Sequence, residues 1–152
     1  MQTIQTDQYE ALLAEKKQRI NTQFSRFDIP DLEVFASPIK HFRQRAEFKI
    51  WHAEDRCFHA MFERGSNNTP IEITDFPIAS EEIVALMPRL LNELNQNDEL
   101  KRRLFQVEYL NTLSGEMLVT LIYHRKIGDE WIAQAKLLKE KLGIHILGRA
   151  KK

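Results

Sequence analysis

The sequence is poor in the residues that most enzyme signatures need. It has one cysteine, Cys57, and five scattered glycines, Gly65, Gly115, Gly128, Gly143 and Gly148. A single thiol excludes an internal disulfide framework and a four-cysteine zinc or iron–sulfur site built from this chain alone. Glycines so dispersed form neither a phosphate-cradling loop nor a nucleophile elbow. Charge of one sign is also missing: 22 Lys and Arg balance 22 Asp and Glu. Any affinity for nucleic acid must therefore come from local clustering. The longest clearly apolar run, Met117–Tyr123, is interrupted by Thr120 and falls far short of a membrane span. MQTIQTDQYEALLAEKKQRI, at the N-terminus, has no apolar core of signal-peptide length. These absences make the cytoplasm the expected location, with no membrane partner.

What is present is the make-up of an ordinary globule: 152 residues, 43% hydrophobic and 29% charged. That length predicts one domain, burying roughly two-thirds of its unfolded surface. Tyr9, Leu12, Leu13, Ile20, Phe24 and Phe27 recur at helical spacing over Asp7 to Phe27, and Pro30 forces a stop. Strand periodicity takes over in HFRQRAEFKIWH, His41 to His52. There Arg43, Arg45, Glu47, Lys49 and Trp51 alternate with Phe42, Gln44, Ala46, Phe48, Ile50 and His52. Cys57 to Glu63 returns with Phe58, Ala60 and Phe62 on one face, completing a hairpin. Arg64 to Pro70 reads as a loop and Ile71 to Thr74 as a short strand. A helix capped by Ser80 follows, with Pro88 expected to kink it or move its start. Leu104 to Thr112 and Met117 to His124 form a second strand pair, the latter apolar enough for a central strand covered on both faces. A helix from Asp129 to Leu142, ended by Gly143, leads into a last strand, Ile144 to Leu147. The expected class is α+β: a largely antiparallel sheet of five to six strands with about three helices.

Basic residues cluster. Lys40, Arg43, Arg45 and Lys49 surround one acid, Glu47; Lys101–Arg103 precede a strand and His124–Lys126 follow its partner. A hairpin sets the last two clusters side by side, with Phe105 and Tyr123 close by. Phosphate neutralisation combined with ring stacking is the usual means of gripping unpaired RNA. The plainer alternatives are solvated strand edges for the lysines and arginines, and core positions for Phe105 and Trp51. His52, Cys57 and His59 can converge across the first hairpin, but a fourth metal ligand is not evident and a buried thiol is commonplace. No metal, catalytic or cofactor-binding residue is assigned.

SPIKHFRQRAEFKIWH, Ser37 to His52, resembles the signature SP-x-x-H-[YF]-R-x-R-A-E-F-x-x-W-H of bacterial tRNA (uracil-5-)-methyltransferases. LFQVEYLNTLSGEMLVTLIYHRK, Leu104 to Lys126, is similar to a second block of that family. DQYEALLAEK, DFP-x-A-S and DEW match in the same order, so the likeness runs from about Asp7 to Arg149. The single cysteine favours this tRNA branch over the related ribosomal-RNA enzymes, which carry an iron–sulfur cysteine set.

The resemblance implies an S-adenosylmethionine-dependent enzyme that methylates C5 of the T-loop uridine to give ribothymidine. A cysteine attacks C6, C5 takes the methyl group, and a base removes the C5 proton. The family's catalytic domain follows the region matched here, with a cofactor loop and an S-C-N-P cysteine. Cys57 does not match that nucleophile. The 152 residues are thus expected to form a single RNA-binding domain, inactive alone, whose partner is the tRNA T-arm or a similar RNA hairpin rather than DNA. By resemblance, Phe105 and His124 pack against bases of the refolded T-loop, and Arg43, Arg45, Glu47 and Lys49 contact RNA along the strand. Lys49 stands where arginine is usual, which removes a bidentate contact but not a point charge. Arg125 and Lys126 join the set from the adjoining basic cluster. A non-enzymatic protein-interaction module of the same fold is the alternative.

Overall fold

The computed structural model describes residues 6–62, 65 and 69–151. Most of the loop-like stretch from Arg64 to Pro70, and Lys152, therefore lie outside the described residues. A turn of 3-10 helix at Thr6–Gln8 opens into α1 (Tyr9–Phe24), followed after a long connection by β1 (Arg45–Ala53) and β2 (Arg56–Phe62). Then come β3 (Pro70–Glu72), α2 (Glu81–Asn95), α3 (Asp98–Lys101), β4 (Leu104–Asn111), β5 (Met117–Tyr123), α4 (Asp129–Leu142) and β6 (His145–Ala150). The strands form one sheet in the order β3-β2-β1-β4-β5-β6. Every neighbouring pair is antiparallel except β5 and β6, which run parallel because α4 carries the chain back over the sheet. The fold is α+β, with α3 as a helix beyond the three expected.

Helices α2 and α4 cover the same face. Ile83, Leu86, Met87, Leu90 and Leu94 of α2, with Trp131, Ala135 and Leu138 of α4, pack on Ala46, Phe48, Ile50, Val107, Tyr109, Val119, Leu121 and Tyr123. Ser80 caps α2 by accepting from Ile83 N at 3.3 Å, and its hydroxyl donates to Asn111 Oδ1 at 2.8 Å, which ties the helix to β4. Pro88 lies inside α2, which neither stops nor restarts there. Gly143 ends α4 in the left-handed conformation at φ 68°. Gly148 of β6 is required by packing. A Cβ there would sit 2.3 Å from the Trp131 ring.

The other face carries neither α2 nor α4 and is open along β1, although Phe58 and Ala60 of β2 and Thr120 and Ile122 of β5 are buried there. Pairing sets Lys49 opposite Ala60 and Trp51 opposite Phe58, so Phe58, Ala60 and Phe62 belong to this open face. The three share one face as their alternation implies, and Cys57 and His59, both buried, lie on the helix-covered side. Trp51 meets Phe62 edge to face at 5.9 Å, a contact on the open face rather than beneath a helix. β5 is one strand in from the edge, not at the centre, yet is covered on both faces as its apolar run implies. Helix α1 departs from its sequence pattern in another way: none of its residues is buried.

Candidate nucleic-acid interface

The alternation in β1 produces the exposed row. Ala46, Phe48 and Ile50 enter the core while Arg45, Glu47, Lys49 and Trp51 stand on the open face. Arg43 precedes the strand, held by a parallel bridge to Ala79. His41, at φ 57°, anchors this entry through Nδ1 to Ala79 O at 2.8 Å. Arg45 is partly neutralised, lying 3.1 Å from Glu47 and 3.7 Å from Glu108.

At the end of the row the chemistry changes. The β4–β5 register shifts between Leu104 and Gln106, so Phe105 is an extra residue in the ladder. Simple alternation would send its ring to the core side with Val107 and Tyr109. The bulge turns it to the open face instead. There it stacks on His124 with centroids 4.0 Å apart and planes 22° from parallel. Lys49 Nζ lies over the same ring, 3.9 Å from its centroid, and donates to Gln106 Oε1 at 2.6 Å. Lys151 Nζ is 5.2 Å from that centroid. Partial burial, then the charge of Lys151, lower the Lys49 pKa; Glu47 and Glu108 oppose the shift.

The structure does not treat the other predicted residues alike. Lys126 is exposed. Arg125 is not: its guanidinium donates to the Glu99 carboxylate at 2.7 Å and to Arg102 O at 2.9 Å, with side chains only 10% and 13% exposed for Arg125 and Glu99. It braces the turn beside His124 and has little left to offer a phosphate. Sequence reasoning missed Gln106 and Glu99 as parts of this site. Their only signal was position, Gln106 beside the bulged Phe105 and Glu99 just ahead of the basic cluster.

Across the first hairpin His52 faces Cys57 in the register, but both histidines are engaged elsewhere. His52 Nε2 bonds to Leu104 O at 2.7 Å, and His59 Nε2 to the Tyr109 hydroxyl at 2.6 Å. Burial pushes the Cys57 thiol up to about 11 and His59 down to about 4. Cys57 is thus a core residue and a poor nucleophile. Among the described residues, no group of three or more His, Cys, Asp or Glu is placed to hold a metal ion. An open cleft of about 670 Å³ is bordered by Arg43, Arg45, Glu47, Met61 and Phe76, a lining of mixed charge. No helix is long and apolar enough to cross a membrane among the described residues.

Comparison with known proteins decides the family. The model of the tRNA (Uracil-5-)-methyltransferase family matches residues 8–152. This chain belongs to that family. It is 56% identical over 149 residues to the tRNA/tmRNA (uracil-C(5))-methyltransferase of Acinetobacter baumannii (strain ACICU), covering 96% of this chain and 41% of the relative. Its counterpart in Chromohalobacter salexigens is 50% identical over 98% of this chain and 41% of its own length. The Vibrio atlanticus protein of the same name is 42% identical over 98% and 42%. The chain thus spans about two-fifths of the length of these uracil-C5 methyltransferases.

Proposed function

We propose that this chain is the RNA-docking, N-terminal portion of a uracil-C5 methyltransferase acting on the T-arm of tRNA. The observation that carries the reading is the Phe105–His124 stack at 4.0 Å, beside Lys49 and Lys151 on an open sheet face. Lysines supply sequence-independent affinity for phosphates, and rings supply a sequence-tolerant platform for bases. When a target uridine leaves its loop, rings that restack the remaining bases offset part of the unstacking cost. Arg43, Arg45 and Glu47 extend the contact along β1, and Lys126 adds a phosphate contact. Arg125 acts through the turn it braces. The methyl donor and the attacking cysteine belong to the remainder of the longer proteins, which work in the cytoplasm and produce ribothymidine. No step of that chemistry runs through residues of this chain.

Filter binding to an isolated T-arm hairpin tests the proposal. Affinity falls steeply with salt, and Phe105→Ala or His124→Ala weakens it by about 1–3 kcal/mol. A hairpin that does not bind at low salt overturns it. Adding S-adenosylmethionine and tRNA to this chain gives no methylation; turnover would sink the division of labour.

A protein-interaction module is the second reading, favoured by exposed apolar side chains between α1 and β1. Phe35 is 85% exposed and Phe27 53%. Salt-insensitive self-association without RNA affinity supports it.

A further inference from the structure

We propose that Lys49 covers the Phe105 ring in the free protein and leaves it when RNA docks, coupling one phosphate contact to the stacking of one unpaired base. This deepens the RNA-docking reading above and rests on it.

The argument starts from crowding around one ring. The His124 imidazole lies 4.0 Å from the Phe105 centroid, nearly parallel, and so occupies one face. An ammonium 3.9 Å from the same centroid cannot share that face without overlapping the imidazole, so Lys49 occupies the other. Phe105 therefore offers neither face to a base until one neighbour withdraws.

The two neighbours are held very differently. His124 N donates to Arg103 O at 3.1 Å, and the next residue, Arg125, is locked to Glu99 and Arg102. Lys49 is an end-tethered ammonium whose only direct contacts among the described residues are one neutral acceptor, Gln106 Oε1, and the ring, with Glu47 and Glu108 attracting it from farther off. Lys151 adds a like charge 5.2 Å from the ring centroid. A phosphate oxygen offers a hydrogen bond in which both partners are charged, whereas Gln106 and the ring are neutral partners. Lys49 is the group that moves. The phosphate that draws it away belongs to the nucleotide whose base takes the vacated face. A paired duplex presents phosphates but no free base, and so gains only half of the exchange.

Side-chain NMR of Lys49 in the full chain is the primary test. In the free protein its ε-methylene protons are shifted upfield by the ring, and Phe105→Leu removes the shift. With T-arm hairpin the shift disappears while His124 stays stacked. Ordinary Lys49 shifts in the free chain overturn the proposal whatever RNA does. A shift that persists while other residues of the face respond to RNA overturns it as well. No response anywhere removes the RNA-docking reading and the proposal with it. The second test is Lys49→Ala in filter binding. Loss of one phosphate contact flattens the salt dependence by about 0.7–0.9 in slope. Loss of the cover makes binding about two- to fivefold tighter than wild type at high salt, the reverse of a plain phosphate contact. Equal or weaker binding there overturns the cover.

Discussion

Glu99 and Arg125 join α3 to the turn after β5 through an ion pair of 2.7 Å that solvent barely reaches. Burial raises the Glu99 pKa, but hydrogen bonds from Arg125 and Arg102 outweigh it and hold the carboxyl below its ordinary value. A depressed carboxylate contributes stability that is present at neutral pH and lost as pH falls through the acid range. Glu99→Gln should cost about 1.5–3 kcal/mol at neutral pH, read by urea unfolding. The gap between wild type and variant should close on acidification below the ordinary glutamate pKa.

Arg125 and Lys126 are neighbours whose substitutions should be told apart by the salt dependence of RNA binding. Lys126→Ala should lower the salt slope by about 0.7–0.9, as loss of one phosphate contact does. Arg125→Lys should weaken binding with the slope unchanged, because it loosens His124 rather than a phosphate. A flattened slope for Arg125→Lys would return that residue to the RNA contacts.

His59 gives the core its own acid sensitivity. Desolvation holds it near pKa 4, against an ordinary value of 6.5, so the unfolded chain binds the proton more readily. Stability should therefore decline as pH falls from about 6.5 towards 4, by about 3 kcal/mol in total. His59→Gln should abolish this component, checked by unfolding at several pH values. Tyr109→Phe removes the hydroxyl 2.6 Å from Nε2 and should cost about 1–3 kcal/mol.

Gly148→Ala tests how β6 is seated. The new methyl meets the Trp131 ring at 2.3 Å, and Ile127 lies 2.6 Å away, so a buried indole has to move. The expected loss is about 1–3 kcal/mol, with a change in Trp131 fluorescence. Trp51, on the opposite face, should report nothing.

The hairpins, helices α2 and α4 and the face assignment of β1 were legible because alternation and helical spacing there follow burial directly. Phe105 was ambiguous for a definite reason: a bulge moves one residue to the other face without altering the local pattern of apolar residues. Alternation placed Phe58, Ala60 and Phe62 on one face, but an aromatic cluster on either side of a sheet carries the same pattern, so it did not say which face α2 and α4 cover. Arg125 read as surface charge because its acid, Glu99, is distant in sequence and meets it only through the β4–β5 pairing. Family resemblance identified the stacked rings as a pair. Only the coordinates show what else lies against them.

Helix α1 has sixteen residues and buries none of them. Its Tyr9 hydroxyl donates to Ser37 O at 2.7 Å, a contact with the connection rather than with the sheet. An isolated helix of this length is marginal in water, so it opens at little free-energy cost while the sheet stays closed. The change from exposed to anchored backbone comes near His41, whose N–H bonds to Pro77 O at 2.9 Å. Limited proteolysis should strip the N-terminal unit early and leave a remnant that melts at the parent's temperature.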